Sequence, residues 1–233
     1  MDLRKRIRFI YFDLDNTLWD FKKNTIIALK KVYNEKIIKN NIKIDFNYFK
    51  EVYTDRNEEH WRAFERGETT VQELRVSRFD KTIQDLSIGD RVEAEDLNKL
   101  YIDTLVSLKN LMNNAKLILD YLRPDYELGI LTNGHKEEQY KKMNSSGIFD
   151  YFSVIITSDG AGASKPNPKI YRDAIEKSGY NPEEIAFVGD DYVVDTLAAN
   201  REGITGILLD PKNNIEDNNI IKISDLIELK EFF

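Results

Sequence analysis

The chain contains no cysteine, only two histidines, and no apolar run that approaches the length of a membrane span. Without cysteine the protein forms no disulfide, has no thiolate nucleophile and offers no cysteine-based zinc site. His60 and His135 lack the spacing of metal ligands and are interpreted as surface or packing residues. Acidic residues (41) outnumber basic ones (34), and the net charge of −7 argues against duplex DNA or an anionic membrane as the main partner.

The remaining composition indicates a globular protein with a well-solvated surface. The 233 residues, 41% of them hydrophobic and 32% charged, suffice for one large α/β domain or for a core with a modest second domain. No signal-peptide apolar segment precedes the first predicted strand, so we expect a cytoplasmic protein. We also expect it to be a monomer or a homodimer.

From about residue 113 onward, helical and strand patterns alternate. This alternation predicts a doubly wound, Rossmann-like parallel sheet, to which the apolar strand at the start of the chain also belongs. The predicted elements are helix 115–122, strand 127–131, helix 136–146, strand 154–157, helix 168–177, strand 185–188, helix 193–200, strands 205–209 and 220–223, and a helix from 225.

Between the first strand and this alternating region, the apolar residues recur at helical spacing for about ninety residues. We therefore predict an all-helical domain, 19–107, inserted into a catalytic core formed by 1–18 and 108–233. Trp61 and Phe64 lie three apart on one of its helices, a spacing more typical of core packing than of a binding surface.

The first strand, 9–12, ends in Asp13 and Asp15, two carboxylates spaced i, i+2. One interpretation is a strand followed by an Asx-type turn with two solvated carboxylates. The other is a ligand site, because open α/β sheets bind ligands beyond the carboxyl ends of their strands. Two carboxylates that close repel each other, so such a site needs a cation or a shared proton.

Three further polar clusters follow predicted strands or precede a helix, and they favour the second interpretation. These clusters are Thr132-Asn133-Gly134, Ser164-Lys165-Pro166 and Gly189-Asp190-Asp191 with Asp195. Carboxyl ends of parallel strands share one edge, so several carboxylates are expected to crowd there with Lys165. Oxygen ligands without cysteine or histidine favour Mg²⁺ as the cation.

Each cluster alone has an ordinary structural explanation. Thr132-Asn133-Gly134 is compatible with a simple strand-to-helix turn, and Lys165-Pro166 with a surface loop. Asp190-Asp191 is compatible with a helix N-cap, and Asp191 is left out of the metal site for that reason. The lysine pairs at 30–31 and 141–142 are interpreted as solvated surface.

Taken together, four segments resemble the four ordered motifs of the haloacid dehalogenase superfamily. They are Asp13-Leu14-Asp15-Asn16-Thr17, Thr132-Asn133-Gly134, Lys165-Pro166 and Gly189-Asp190-Asp191 with Asp195. The helical insertion resembles the cap of that superfamily's first subfamily. More narrowly, the sequence resembles a subgroup of nucleoside 5′-monophosphatases, among them pyrimidine 5′-nucleotidases. The segments that carry this resemblance are residues 14–21, Trp61, Phe64-Glu65-Arg66-Gly67-Glu68, Arg78-Phe79 and Ser158…Gly162…Lys165-Pro166.

The resemblance, together with the chemistry of the side chains, assigns roles in phosphoryl transfer. Asp13 is expected to attack phosphorus, and Asp15 to act as general acid and base while its backbone carbonyl ligates the metal. Asp13 and Asp190 are expected to ligate Mg²⁺, and Asp195 to hold a metal-bound water or Lys165.

The remaining motif residues are expected to bind the phosphoryl group. Thr132 offers a hydroxyl and Asn133 a backbone N–H to phosphate oxygens, while Lys165 offsets negative charge. The implied activity is Mg²⁺-dependent hydrolysis of a small phosphate ester, preferably a nucleoside 5′-monophosphate, with no nucleic-acid polymer as substrate.

The cap is expected to exclude water during the first step and to hinge near 18–21 and 106–111. Trp61, Arg62 and Phe64 are the cap residues expected to select the substrate.

Four alternatives remain open. A sugar-phosphate phosphatase and a phosphomutase share the same motifs. A 2-haloacid dehalogenase is disfavoured because such enzymes lack a carboxylate at the position of Asp15. A phospho-accepting signalling module is about half this length and has no helical insertion.

Overall fold

The computed structural model describes residues 3–65, 68 and 71–233, without the side chains of 64, 65 and 71–76. Its backbone contacts divide the chain into two compact units. The first comprises Met1–Phe21 with Lys109–Phe233, and the second is Lys22–Leu108. In the described ranges, none of the helices combines the length and apolar character that a membrane crossing requires.

The first unit is built on a sheet of six parallel strands. The strands are β1 (Phe9–Phe12), β2 (Glu127–Thr132), β3 (Val154–Thr157), β4 (Ile185–Gly189), β5 (Thr205–Leu209) and β6 (Ile221–Ile223). Their order across the sheet is β3-β2-β1-β4-β5-β6, with every neighbouring pair parallel. The predicted doubly wound α/β fold is confirmed.

This strand order reverses between β1 and β4, which creates a topological switch point at the centre of the sheet. Phe12 is paired with Ile130 on one side and with Val188 on the other. The segments that follow β1, β2 and β4 therefore emerge at one edge, where doubly wound folds bind their ligands.

The helices described in the first unit precede or connect these strands. They are α1 (Leu3–Arg6), α6 (Ala115–Leu122), α7 (Lys136–Ser146), α8 (Ser158–Ala161), α9 (Pro168–Ser178) and α10 (Ala198–Arg201), numbered in chain order with those of the second unit. Short 3₁₀ segments occupy Phe149–Tyr151, Pro182–Glu184 and Leu226–Glu231. The segment predicted as a C-terminal helix is this last 3₁₀ helix, which Asp225 caps by accepting from the Ile227 N–H.

The helix predicted at 193–200 is a π-helical segment, Tyr192–Leu197, followed by α10. The Thr196 N–H donates to the carbonyl of Asp191 (3.2 Å), which gives the wider π turn. This turn packs against β5 at Gly206, where a Cβ atom would lie 2.6 Å from the Thr196 carbonyl oxygen. Only glycine permits this approach of the two backbones.

The second unit contains all of α2 (Phe21–Val32) except its first residue, together with α3 (Phe46–Glu65), α4 (Val71–Asp85) and α5 (Ala94–Leu105). A π segment, Tyr33–Ile38, continues α2. The described residues of the second unit form no strand, as the helical spacing predicted. Tyr53, Phe79 and Tyr101 contribute one ring each from α3, α4 and α5, with Tyr53 4.8 Å from Phe79 and 5.4 Å from Tyr101. These three buried rings join α3, α4 and α5 through apolar contacts.

Candidate active site

Asp13 follows β1 directly and lies at the switch point. Its backbone N–H donates to the carbonyl of Val188 (2.9 Å), so the ladder with β4 continues one residue beyond β1. The chain then turns at Asn16, whose φ of 63° is in the left-handed region that asparagine tolerates better than most residues. The two aspartates therefore leave the strand where a ligand site is expected.

Lys165 is buried between two carboxylates. Its ammonium group donates to Asp13 Oδ1 (2.8 Å) and to Asp195 Oδ1 (2.7 Å), and it lies 5.0 Å from the centre of the Phe187 ring. Asp13, Lys165 and Asp195 are each less than a tenth exposed. Residues more than 150 positions apart in the sequence thus form one buried charged group.

Burial and the neighbouring charges act in opposite directions on the pKa values of this group. Burial raises the pKa of Asp13 to about 7, although the charge of Lys165 opposes the rise. Burial alone would lower the pKa of Lys165, but the charges of Asp13 and Asp195 outweigh it, and the pKa of the lysine is raised. Lys165 is therefore a cation at neutral pH.

Asn133 fixes the backbone of Lys165. Its side-chain oxygen accepts from the Lys165 N–H (2.7 Å), and its side-chain nitrogen donates to the Lys165 carbonyl (2.9 Å). This pair of bonds joins the segment after β2 to the segment before α9. Asn133 therefore fixes the origin of the lysine side chain, a contribution that the sequence did not indicate.

Three carboxylates converge beside the lysine. One oxygen each from Asp13, Asp190 and Asp195 lies within 4.8 Å of the other two. The Thr17 hydroxyl donates to Asp190 Oδ1 (3.4 Å), and Asp195 Oδ2 accepts from the Asp191 N–H (3.1 Å). When all three carboxylates are charged, Lys165 balances only one of them, and their hard oxygens are of the type that suits a divalent cation such as Mg²⁺.

Asp15 points to a different set of partners. The ammonium group of Lys142 lies 2.8 Å from both of its carboxylate oxygens, and Gln139 Nε2 donates to Asp15 Oδ2 (3.0 Å). The interpretation of Lys142 as solvated surface is wrong, because its side chain is 4% exposed. Neighbouring Lys141 is exposed, as expected.

The sequence relates Gln139 to Lys142, but it does not relate either residue to Asp15. They are three residues apart on α7, so they lie on one face of that helix. The helix begins at Lys136, one residue after Thr132-Asn133-Gly134, which brings its first two turns to the edge of the sheet. No apolar stripe marks this face, which explains why hydrophobic spacing gave no signal.

Thr132 is buried at the end of β2. Its hydroxyl oxygen accepts from Gln139 Nε2 (2.8 Å) and from the Gly134 N–H (3.1 Å). A hydroxyl that accepts in this way keeps its own proton for donation. Gln139 thus links the second motif to Asp15.

The cap residues proposed to select substrate lie on α3 in the second unit. Trp61 is half-buried, and Arg62 is exposed and pairs with Glu58 on the preceding turn (3.3 Å). The side chain of Phe64, like residues 66, 67, 69 and 70 of the flanking segment, lies outside the described part of the structure.

Asp191 and the histidines have structural contacts. Asp191 caps the π segment by accepting from the N–H groups of Val193 (2.9 Å) and Val194 (2.7 Å). His60 is buried and its Nδ1 lies 2.6 Å from the Arg56 carbonyl, while His135 is 3.4 Å from Asp159. Omitting them from the candidate site agrees with these contacts.

The sheet order and the lysine-bridged carboxylates at its switch point define an α/β protein with a charged site at the edge of the sheet. The chain belongs to the haloacid dehalogenase-like hydrolases, because the model of that family matches residues 7–203. It is therefore an enzyme.

Individual relatives match nearly the whole chain. Pyrimidine 5′-nucleotidase YjjG of Escherichia coli is 27% identical over 228 residues, covering 96% of each chain. Glyceraldehyde 3-phosphate phosphatase of Methanothermobacter thermautotrophicus is 24% identical over 236 residues, covering 97% of this chain and 99% of the relative. A magnesium-bound crystal structure of the HAD-hydrolase YfnB from Bacillus subtilis has a TM-score of 0.86 at 27% identity, covering 97% and 98%.

Proposed function

We propose that this protein is a Mg²⁺-dependent phosphomonoesterase that acts through an aspartyl-phosphate at Asp13. The observation that supports this most is the buried group in which Lys165 joins Asp13 to Asp195, with Asp190 alongside and Asp15 two residues away. A nucleophilic carboxylate, a fixed cation and a second carboxylate are the parts that hydrolysis of a phosphate ester by this route needs.

The carboxylates of Asp13 and Asp190 would hold Mg²⁺, with the backbone carbonyl of Asp15 as a further ligand. Asp195 would hold Lys165 or a water molecule of the metal. When bound, the metal supplies positive charge that stabilises negative charge on the phosphoryl group. The excess of three carboxylates over one lysine supports this assignment, as does the magnesium found in the structure of YfnB.

The side chains account for both steps of the reaction. In the first, an oxygen of Asp13 forms a bond to phosphorus while the bond to the ester oxygen breaks, and the carboxyl group of Asp15 gives that oxygen a proton. In the second, Asp15 takes a proton from water as the water oxygen bonds to phosphorus and the bond to Asp13 breaks. Lys165 and the hydroxyl of Thr132 bind phosphoryl oxygens throughout.

The preferred substrate is a nucleoside 5′-monophosphate. The resemblance of residues 14–21 to nucleoside monophosphatases supports this choice, and so does the relative named pyrimidine 5′-nucleotidase. A small sugar phosphate is the second candidate, because a relative of similar coverage is named glyceraldehyde 3-phosphate phosphatase. Trp61, Arg62 and Phe64 remain the predicted determinants of this choice.

A substrate screen tests the proposal. Phosphate release is measured from nucleoside monophosphates, sugar phosphates and phosphoglycolate, with Mg²⁺ and with a chelator, for the wild type and for Asp13→Asn. We expect release that needs both Mg²⁺ and Asp13, fastest with a nucleoside monophosphate. Chloride release from 2-chloropropionate with the chelator present, or phosphate release by Asp13→Asn, would contradict the proposal.

Two further expectations from the sequence belong to this proposal. The protein is expected in the cytoplasm, and as a monomer or a homodimer. Sedimentation of the purified chain measures the second directly.

A further inference from the structure

The side chain of Asp15 is held by two residues of one helix, and these contacts differ from those of the other site carboxylates. Lys142 reaches both of its oxygens at 2.8 Å, and Gln139 donates to one of them at 3.0 Å. Among the described carboxylates, Asp15 is not a member of the converging group of Asp13, Asp190 and Asp195. Each of the two aspartates in the first motif thus has its own buried lysine.

The position of Lys142 is fixed on several sides. Its ammonium group lies 4.8 Å from the centre of the Trp19 ring and 5.4 Å from that of Phe21. Its side chain is 4% exposed, whereas that of Asp15 is 26% exposed. A lysine removed from water to this extent is costly unless its charge is paired, so Asp15 is the partner that makes this placement tolerable.

Gln139 is equally confined, and the glycine of the second motif makes room for it. Gln139 is fully buried and bridges the Thr132 hydroxyl (2.8 Å) and Asp15. A Cβ atom at Gly134 would lie 1.9 Å from Gln139 Nε2 and 2.8 Å from its Cγ. The absence of a side chain at Gly134 is therefore a condition for the contact between Gln139 and Asp15.

We propose that Gln139 and Lys142 are positioning residues that hold the Asp15 carboxyl group in one orientation for proton transfer. This inference rests on the proposed function, which makes Asp15 the general acid. Proton transfer depends on geometry before all else, and a carboxyl group that is free to rotate spends less time aligned with the leaving oxygen. Neither residue needs to touch the substrate for this role.

The role predicts a dependence on the leaving group. A nitrophenolate leaves without being protonated, whereas the 5′-alkoxide of a nucleoside needs a proton as its bond to phosphorus breaks. Loss of positioning should therefore slow attack on a nucleoside monophosphate and leave attack on p-nitrophenyl phosphate nearly unchanged. The quantity to compare is kcat/KM, because it excludes the later hydrolysis step that both substrates share.

The test uses Lys142→Met, which keeps the length of the side chain and removes its charge, with Lys141→Met on the exposed face of the same helix as the matched control. Because general acid catalysis contributes roughly 10²–10⁴-fold, we expect kcat/KM for the nucleoside monophosphate to fall about 10- to 100-fold. For p-nitrophenyl phosphate the fall should be under about threefold, and Lys141→Met should match the wild type. Inhibition by inorganic phosphate should be the same in all three proteins.

Four results would overturn the inference. An equal fall for both substrates would mean that Lys142 maintains the whole site, and no fall for either would mean that it has no role. Weaker inhibition by inorganic phosphate would make Lys142 a phosphate-binding residue. A wild type that hydrolyses no phosphate ester would refute the proposed function, and the positioning role with it.

If Lys142→Met does not fold, Gln139→Leu is measured in the same way, since it keeps the volume and removes the donor. The same separation between the two substrates is expected. An equal fall for both substrates, or none for either, would refute the inference in this variant as well.

Discussion

Replacing Asp13 by asparagine should stabilise the metal-free protein while removing its activity. Asp13 is buried, and burial raises its pKa from the ordinary 3.8 to about 7 even though Lys165 is adjacent. The difference corresponds to at most about 4 kcal/mol of lost stability for the charged form. The buried amide of asparagine needs hydrogen-bond partners of its own, so we expect a smaller net gain, about 1–3 kcal/mol.

The sign depends on pH. Because the pKa of Asp13 is higher in the folded protein than in the unfolded chain, its contribution to stability falls as the pH rises from about 4 to about 7. Asparagine carries no charge at any pH. The difference between variant and wild type should therefore be largest at pH 8 and nearly absent at pH 4.

Thermal unfolding with a chelator measures this effect. For a chain of this size, 1 kcal/mol shifts Tm by roughly 2–4 °C, so Asp13→Asn should unfold about 2–12 °C above the wild type at pH 8. Asp103→Asn, at an exposed position of α5, is the matched control and should change Tm little. A Tm difference that is equal at pH 4 and pH 8, or a destabilised variant at pH 8, would refute the reasoning.

Three further predictions concern neighbouring features. Mg²⁺ should raise the Tm of the wild type but not that of Asp190→Asn, because the variant loses a proposed carboxylate ligand of the metal. Equal rises in Tm would contradict the metal assignment. Gly206→Ala should lower the free energy of unfolding by about 1–3 kcal/mol in a denaturant titration, because the new Cβ would lie 2.6 Å from the Thr196 carbonyl oxygen. Gly89→Ala, at an exposed position, is the control and should change it little. Asn133→Ala should lower the free energy of unfolding by about 1–3 kcal/mol and also lower kcat, because both side-chain hydrogen bonds of Asn133 hold the backbone of Lys165. An unchanged kcat would show that the lysine needs no such support.

Much of the first unit was predictable because local patterns and long-range packing agree there. Strands such as β3 and β5 are short apolar runs that follow helical segments, and their bounds match the prediction to the residue. The convergence of Asp13, Lys165 and Asp195 also followed from the sequence, since parallel strands must end at a common edge.

Other features depend on tertiary contacts that no local pattern records. The π segment at Tyr192–Leu197 follows from the packing of its backbone against Gly206. Lys142 resembles its exposed neighbour Lys141 in sequence, and only the fold places one of them against Asp15. Buried charge pairs of this kind have no periodic signature, which is why the sequence indicated Lys165 by its motif and missed Lys142.

The most direct test of the central claim is to locate the covalent phosphoryl group. The enzyme is mixed with its best phosphate ester, quenched within milliseconds and reduced with borohydride, which converts an acyl phosphate of aspartate to homoserine, and peptides are then sequenced by mass spectrometry. We predict homoserine at position 13 alone, dependent on substrate and absent from Asp13→Asn. Phosphate release without any modified Asp13, or with the phosphoryl group on another residue, would contradict the mechanism.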